Sequence, residues 1–232
     1  GRDRAYYLSN KGYDLILVGR NKDKLNEVKK KIKTDVKIYD MDLSIIDNVY
    51  KFYEIVKNED IDILINNAGF GLFGNFIDTN LDRELEMINL NIIALHVLTK
   101  LFLVDFVKKD KGRILNVASS AGFMAGPKLS TYYSTKNYVL KQSLAIYEEL
   151  KQMNSNVKIS ILCPGPVDTN FNKVAGGSFN TKSATSEYVA QYAINKMFKN
   201  KLIIIPTLRM KLAIFATRFI PTKLLLMINY HI

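Results

Sequence analysis

Three side chains in one stretch of this sequence could polarise and protonate a carbonyl group. Tyr132 and Lys136 stand four residues apart in a segment with a helical pattern, so their side chains lie on one face of that helix. Ser119 lies upstream, just after an apolar run, Arg113 to Val117, which has the length and composition of a buried strand. A serine at a strand end and a Tyr–Lys pair on the next helix can converge on one substrate oxygen.

The Tyr-x-x-x-Lys spacing is not specific by itself. It also occurs at Tyr7/Lys11, Tyr53/Lys57, Tyr147/Lys151 and Tyr192/Lys196. An ordinary solvated pair on a helix face is the structural explanation for such a spacing. What distinguishes Tyr132 is the strand-end serine before it. Ser134, which has the same separation from Tyr147, falls inside the predicted helix.

Four stretches, in this order, resemble the motifs of short-chain dehydrogenase/reductases over about residues 1–206. They are NNAGFG at 66–71, Asn91 in LNIIAL, the set Ser119, Tyr132 and Lys136, and CPGPVDTNF at 163–171. The likeness is greatest to the branch of hydroxysteroid and 3-ketoacyl reductases. It implies an α/β fold, a Rossmann-like doubly wound parallel sheet in three layers. It also implies an oxidoreductase that interconverts a carbonyl and a secondary alcohol by hydride transfer, here on a lipophilic small-molecule substrate.

The resemblance also implies a role for each catalytic residue. Tyr132 donates the proton in the reducing direction, and Ser119 hydrogen-bonds the substrate oxygen. A free phenol has a pKa near 10, and we expect the cationic Lys136 to lower it while holding the cofactor ribose. Asn91 would hold a relay water near Lys136. The alternatives are a buried Asn91 that is satisfied by backbone groups, and Asn89 as the relay residue.

The expected cofactor is NADP(H), with NAD less favoured. No acid follows the strand 14–18 until Asp23, and Arg20 could bind the extra 2′-phosphate, unless it is only a surface residue at a helix start. By resemblance Asp42 binds the adenine amino group. The alternative is that Asp42 caps the next helix, but Ser44 is the better cap, which leaves Asp42 free for the nucleotide. The implied cofactor contacts are Gly1, Arg20, Asp42, Asn67, Ala68, Gly69, Tyr132, Lys136, Pro164, Gly165, Val167 and Thr169.

The beginning of the sequence lacks an element that this fold requires. Residues 1–10 are predicted to be a helix, followed by a strand from Asp14 to Val18, whereas a dinucleotide-binding unit opens with a strand and a glycine-rich turn. Gly1 resembles the last glycine of that turn. We therefore expect a longer parent chain, and we expect the strands at 14–18 and 61–65 to have unpaired edges between them.

Residues 1–205 are expected to form the Rossmann-like domain, and residues 206–232 a basic amphipathic tail. Its basic residues are Arg209, Lys211, Arg218 and Lys223, with no acids among them. Pro221 divides the tail into two short pieces. Three roles stay open: a lid over a lipophilic substrate pocket, an oligomer surface, or a peripheral membrane contact.

Two other segments invite predictions. Residues 80–109 carry a long apolar stripe, which we expect to be core and to serve as the interface of a homo-oligomer. Residues 173–186 are rich in Gly, Ser and Thr, which predicts a mobile substrate lid.

Composition argues against several other classes of protein. The net charge of +11 is attributed to solvated helix faces and the tail, and no segment resembles a nucleic-acid module. One cysteine, Cys163, and two distant histidines, His96 and His231, predict neither a disulfide nor a metal site. We find no signal peptide and no apolar run long enough to span a bilayer. A cytoplasmic enzyme is expected, with membrane association through the tail as the alternative.

A non-catalytic protein is the main competing hypothesis. A Rossmann-like binding or scaffold protein, or an incomplete gene product without its phosphate loop, could keep the fold and lose the chemistry. The presence of all four catalytic-type residues favours the enzyme.

Overall fold

The computed structural model describes residues 1–169, 171, 175–176 and 183–231. Its helices are α1 (Arg2–Ser9), α2 (Lys22–Lys29), α3 (Ile46–Val56), α4 (Leu81–Ile88), α5 (Leu95–Lys109), α6 (Ser130–Gln152), α7 (Ser186–Phe198), α8 (Leu208–Ala216) and α9 (Thr222–His231). Its strands are β1 (Leu15–Gly19), β2 (Val36–Asp40), β3 (Ile63–Asn66), β4 (Arg113–Val117), β5 (Lys158–Leu162), β6 (Val167–Asp168), β7 (Ala184–Thr185) and β8 (Ile203–Ile204).

The main strands all run parallel, as the alternation of strands and helices predicts. β3, β4, β5 and β8 pair in that order, and β1 pairs with β2. The short strands β6 and β7 form a separate pair. The α/β doubly wound fold is confirmed, and the carboxyl ends of these strands lie along one edge of the sheet.

Successive residues of the strands pack against helices on opposite faces of the sheet. Leu115 of β4 packs with Leu8 of α1 and Ile194 of α7. Its neighbour Ile114 packs on the other face with Phe106 of α5. Both strand residues are fully buried, so the chain forms three layers around a two-sided core.

The sheet is interrupted between β1 and β3. Within the described residues these two strands are not paired, and a cavity of about 720 Å³ lies between them. Ile16 and Val18 line one side of the cavity, and Ile63 and Ile65 line the other. This is the position at which the sequence predicts a missing strand.

The apolar stripe at 80–109 forms one continuous helical segment, α4 to α5, joined by a π-helical turn at Asn89–Ala94. The expectation that no apolar run is long enough to span a bilayer is wrong for this segment. Leu81–Lys109 has the length and composition to do so, since an 18-residue window within it has a mean hydropathy of 1.8. Phe102 and Phe106 of this segment are nevertheless core residues of the domain.

The tail has the predicted division into two helices, α8 and α9, on either side of Pro221. Ile214 of α8 is buried against the domain, whereas most large apolar residues of the tail are exposed. The segment 173–186, predicted to be a lid, lies largely outside the described residues. Its described end contains β7 and the first residue of α7.

Candidate active site

Ser119 is positioned by the end of β4. That strand ends at Val117, and Ser119 is the N-cap of a short 3-10 helix, Ser120–Phe123. Its Oγ accepts a hydrogen bond from the Ala121 N–H at 3.1 Å, and it also interacts with the Tyr132 hydroxyl. Ser119 therefore lies at the carboxyl edge of the sheet, beside the phenol with which the sequence associates it.

Tyr132 and Lys136 lie in the first two turns of α6, which begins at Ser130. Both side chains are buried, with 9% and 5% of their surfaces exposed. Lys136 Nζ donates to the Val117 carbonyl oxygen at 3.0 Å and lies 5.8 Å from the centre of the Tyr132 ring. The structure thus brings the serine, the phenol and the ammonium together.

Burial controls the protonation of these groups. It raises the pKa of Tyr132 to about 12, against the opposing effect of the hydrogen bond with Ser119. It also lowers the pKa of Lys136 to about 8. The expectation that Lys136 lowers the pKa of Tyr132 is wrong for this structure, because desolvation of the phenol is the larger effect and the Lys136 ammonium bonds Val117.

Asn91 is fully buried within the π-helical turn. Its Oδ1 accepts from the Phe70 N–H at 3.1 Å, and its Nδ2 donates to the Phe70 carbonyl at 2.9 Å and to Thr135 Oγ1 at 3.0 Å. The structure therefore agrees with the alternative given in the sequence analysis, in which a buried Asn91 is satisfied by backbone groups. Asn89 is exposed. The role of Asn91 with a relay water stays a prediction.

The turn after β3 approaches the same groups closely. A Cβ atom at Gly69 would lie 2.8 Å from Asn91 Oδ1 and 3.4 Å from Lys136 Nζ, so only glycine fits. Ala68 and Gly69 are exposed at this point, while the Asn67 side chain accepts a hydrogen bond from Arg4. Backbone atoms of this turn are thus accessible beside the buried lysine.

The loop after β5 lies beside Ser119. The Pro164 carbonyl accepts from the Ser120 N–H at 2.8 Å, and Gly165 contacts the side chain of Met210 in α8. Val167 pairs with β7, and Thr169 is exposed. These residues lie beside the predicted catalytic residues, and their contacts with a cofactor stay a prediction.

The residues predicted to bind the adenosine end lie apart from Tyr132, at the ends of β1 and β2. Arg20 forms an ion pair with Glu86 at 2.9 Å and lies 3.8 Å from Asp42. The capping prediction is wrong: Asp42 Oδ1 accepts from both the N–H and the hydroxyl of Ser44. Ser44 therefore binds Asp42 rather than leaving it free, because the short turn places the two side by side. Gly1, at the start of α1, lines the cavity.

Three neighbours of Tyr132, namely Phe171, Gly71 and Thr135, do not appear among the predicted site residues. The Phe171 ring lies 5.2 Å from the Tyr132 ring, and a Cβ atom at Gly71 would lie 2.8 Å from Phe171. Thr135 donates to the Tyr132 carbonyl and accepts from Asn91, so it links the π-helical turn to α6. Both phenylalanine and glycine stand within the quoted motifs, but their contact depends on the folding of two distant segments.

The described residues fit a nicotinamide dinucleotide. A glycine turn without room for a Cβ atom, a serine hydroxyl, a phenol and an ammonium lie at the carboxyl edge of one parallel sheet. A basic residue, Arg20, follows the carboxyl end of β1 in the β1–β2 pair. Ligands of open α/β sheets bind at this edge.

Comparison with known proteins identifies the family. The family model of the short chain dehydrogenases matches residues 1–177. The chain belongs to this family, whose members are NAD(P)-dependent oxidoreductases, and it is thus an enzyme of that class.

Individual relatives agree with this assignment. The chain is 33% identical to an uncharacterized oxidoreductase of Staphylococcus epidermidis over 73% of this chain and 74% of the relative. It is 31% identical to the human very-long-chain 3-oxoacyl-CoA reductase over 75% of this chain, but spans only 58% of that protein. A short-chain dehydrogenase from Sphingobium yanoikuyae, solved in complex with NADPH, is similar in structure with a TM-score of 0.84 and 25% identity, over 94% of this chain and 89% of the other.

Proposed function

We propose that this protein is an NADP(H)-dependent reductase that interconverts a ketone and a secondary alcohol on a lipophilic small molecule. The observation that carries the proposal is the convergence of Ser119, Tyr132 and Lys136 beside the glycine turn at Gly69. The comparisons give no support to the competing scaffold hypothesis.

In the reducing direction, Tyr132 supplies the proton. Its pKa of about 12 keeps the phenol protonated at neutral pH, and Ser119 orients the hydroxyl towards a substrate oxygen. Lys136, with a pKa of about 8, is mostly cationic at neutral pH, and its ammonium would hold the ribose hydroxyls of the nicotinamide. When bound, a nicotinamide dinucleotide supplies or accepts the hydride. In the oxidising direction Tyr132 can accept the proton of the alcohol only as the phenolate, which its pKa of about 12 makes rare at neutral pH.

The apolar surroundings of Tyr132 support a lipophilic substrate. Phe70, Leu129 and Phe171 pack around the phenol, so a substrate carbonyl that reaches it must lie among apolar side chains. The name of the human relative describes a carbonyl on a long acyl chain. We expect turnover to rise with the length of the apolar chain on the ketone.

The function is tested with a panel of ketones of increasing apolar length, by following NADPH oxidation. We expect activity in the unaltered chain and a loss of about 100-fold or more in kcat/KM for Ser119→Ala, because the substrate oxygen loses its donor. Ser134→Ala, in the middle of a helical turn of α6, is the matched control. Activity that is absent from the whole panel, together with no cofactor binding, would contradict the proposal.

The preference for NADP(H) rests on Arg20. A 2′-phosphate can pair with its guanidinium only by competing with Glu86, which now lies 2.9 Å away. We expect Arg20→Gln to lower the ratio of NADPH to NADH affinity by about tenfold, and Glu86→Gln to raise it. Fluorescence titration with each cofactor measures both ratios. Equal ratios in the two variants would remove Arg20 from the cofactor site.

We also propose that the enzyme is a homo-oligomer through the segment α4–α5 and α6. Their outer faces carry apolar residues that are at least a third exposed, among them Leu85, Ile93 and Tyr138. Light scattering during size-exclusion chromatography tests this, and Leu85→Lys with Ile93→Lys should yield a monomer.

A further inference from the structure

We infer that the tail helices and the loop at 73–77 form a surface that docks on an anionic lipid bilayer. The inference goes beyond the reductase chemistry and does not depend on it. The surface, called the apolar rim, consists of Phe76, Ile77, Leu212, Phe215, Phe219 and Met227. Each of these side chains has more than half of its surface exposed, up to 91% for Ile77.

The parts of the apolar rim border one segment, the loop between Ser119 and α6. Asn229 of α9 donates to the Ala125 carbonyl at 2.9 Å, and Lys128 donates to the Tyr230 carbonyl at 3.3 Å. The loop at 73–77 joins the same place, because the Gly74 N–H donates to the Lys128 carbonyl at 2.8 Å. The rim therefore lies next to the loop that carries the catalytic serine and leads into α6.

The other end of the tail contacts the active-site loops as well. Met210 of α8 packs against Gly165, and Ile214 is buried beneath the helix. The tail is thus anchored by a few inward contacts, and most of its other large apolar side chains are exposed. Such protruding apolar side chains on short helices suit insertion into the boundary between lipid headgroups and acyl chains.

The charge of the tail identifies the partner. Between residues 206 and 231 the sequence has no Asp or Glu. Its cations are Arg209, Lys211, Arg218 and Lys223, interleaved with the exposed apolar residues. Long basic side chains beside inserted apolar groups can reach the headgroups, and basic residues near a surface are attracted to anionic lipids.

A second copy of the chain fits this surface less well. A symmetric dimer brings the same patch of both copies together, so the four tail cations of one subunit would face those of the other. On the loop side of the rim, Asp78 follows Ile77 in the sequence and accepts a hydrogen bond from Asn75. The tail cations of two copies would repel each other across such an interface, whereas the headgroups of an anionic bilayer would neutralise these cations.

Vesicle sedimentation tests the inference with the full chain. Vesicles of phosphatidylcholine alone are compared with vesicles that contain about a third phosphatidylserine, at low and at high salt. We expect binding to the anionic vesicles to be at least about tenfold tighter and to weaken with salt. Equal binding to both kinds of vesicle, or none to either, would overturn the inference.

Two sets of variants locate the surface, each with a matched control. The apolar set is Leu212→Ser, Phe215→Ser and Phe219→Ser, and its control is Ile45→Ser, Tyr50→Ser and Ile55→Ser, about half exposed on or next to α3. The charge set is Arg209→Gln, Lys211→Gln, Arg218→Gln and Lys223→Gln, and its control is Lys22→Gln, Lys24→Gln, Lys29→Gln and Lys30→Gln, exposed at α2.

We expect each rim set to weaken vesicle binding by about tenfold or more, and the controls to leave it within about twofold. Circular dichroism checks that all variants are folded. Equal losses in rim and control variants would mean binding by the general positive charge, and would overturn the docking surface. The docking surface would also be overturned if the unaltered chain did not bind vesicles and the rim substitutions changed its oligomeric state. Reductase activity is scored separately, with a water-soluble ketone, so that a failure of the proposed function is recognised on its own.

Discussion

At the scale of single residues, Lys136 is kept in a place that disfavours its charge. Burial lowers its pKa from 10.5 to about 8, whereas the unfolded chain keeps the proton up to pH 10.5. Below pH 8 both states are protonated, and the folded state bears the full desolvation cost. Between pH 8 and 10.5 only the unfolded chain holds the proton, so this cost declines as the pH rises.

We therefore predict that Lys136→Met abolishes turnover but stabilises the fold. The gain in the free energy of unfolding at pH 7 should be up to about 3 kcal/mol, at about 1.4 kcal/mol for each unit of pKa. It should shrink towards zero near pH 10.5. Urea unfolding at several pH values measures this gain in the free energy of unfolding. Lys151→Met is the control, because Lys151 is exposed and has the same spacing from Tyr147 as Lys136 has from Tyr132. A destabilised Lys136→Met protein at pH 7 would contradict the reasoning.

Tyr132→Phe should separate chemistry from binding. The proton donor is lost, so we predict a fall in kcat of about 1,000-fold or more, while NADPH affinity stays within about threefold. Steady-state kinetics and fluorescence titration measure the two quantities. Tyr147→Phe is the control and should keep full activity, because the Tyr147/Lys151 pair has the same spacing but no serine at a strand end. Normal turnover in the Tyr132→Phe protein would remove Tyr132 from its assigned role.

Cys163 should be chemically inert in the native protein. It is fully buried at the end of β5, and burial raises the pKa of its thiol to about 12, despite the nearby Lys136 ammonium. We predict no reaction with a thiol reagent at pH 7.5 until the chain is unfolded by urea. Since the sequence has one cysteine, the absorbance of the released chromophore reports this residue alone. Rapid native labelling would show that the strand end opens.

At the scale of elements, the π-helical turn and α6 are joined by Asn91. Its three hydrogen bonds satisfy both backbone groups of Phe70 and bring Thr135 into contact. We predict that Asn91→Ala lowers the free energy of unfolding by about 2–4 kcal/mol, because buried polar groups lose their partners. Asn89→Ala, exposed in the same turn, should change it by less than about 0.5 kcal/mol. Similar effects in both variants would show that the turn itself, not the bonding of Asn91, is sensitive.

At the scale of the whole molecule, the interruption of the sheet between β1 and β3 is the feature with the largest expected effect on stability. Two strand edges and apolar side chains from both faces border an open cavity of about 720 Å³. An apolar strand as long as β1, five residues, joined to Gly1 through a glycine-rich turn, should pair with both edges. We predict a rise in Tm of about 10 °C and tighter NADPH binding, because apolar area is buried and edge groups are paired.

The control is an extension of equal length made of Gly and Ser. Differential scanning calorimetry compares the two extended chains with the unextended one. Equal Tm values for the apolar and the polar extension would mean that the cavity does not accept a strand.

The sequence by itself determined the family, the parallel α/β fold and the position of the interruption in the sheet. These follow from local patterns: apolar runs that end in small residues, a helical spacing for Tyr132 and Lys136, and motifs in a fixed order. Each is expressed by residues close together along the chain, so it can be read without knowing what packs against what.

Only the tertiary structure decided the protonation and the hydrogen bonds of the site. Burial, not Lys136, sets the pKa of Tyr132; Asn91 bonds Phe70; and Asp42 is held by Ser44. The contact of Phe171 with Tyr132 likewise joins segments that are far apart in sequence. Protonation and hydrogen bonding depend on the distance to every neighbouring group and on the exclusion of water, and those are fixed only when the distant segments pack together.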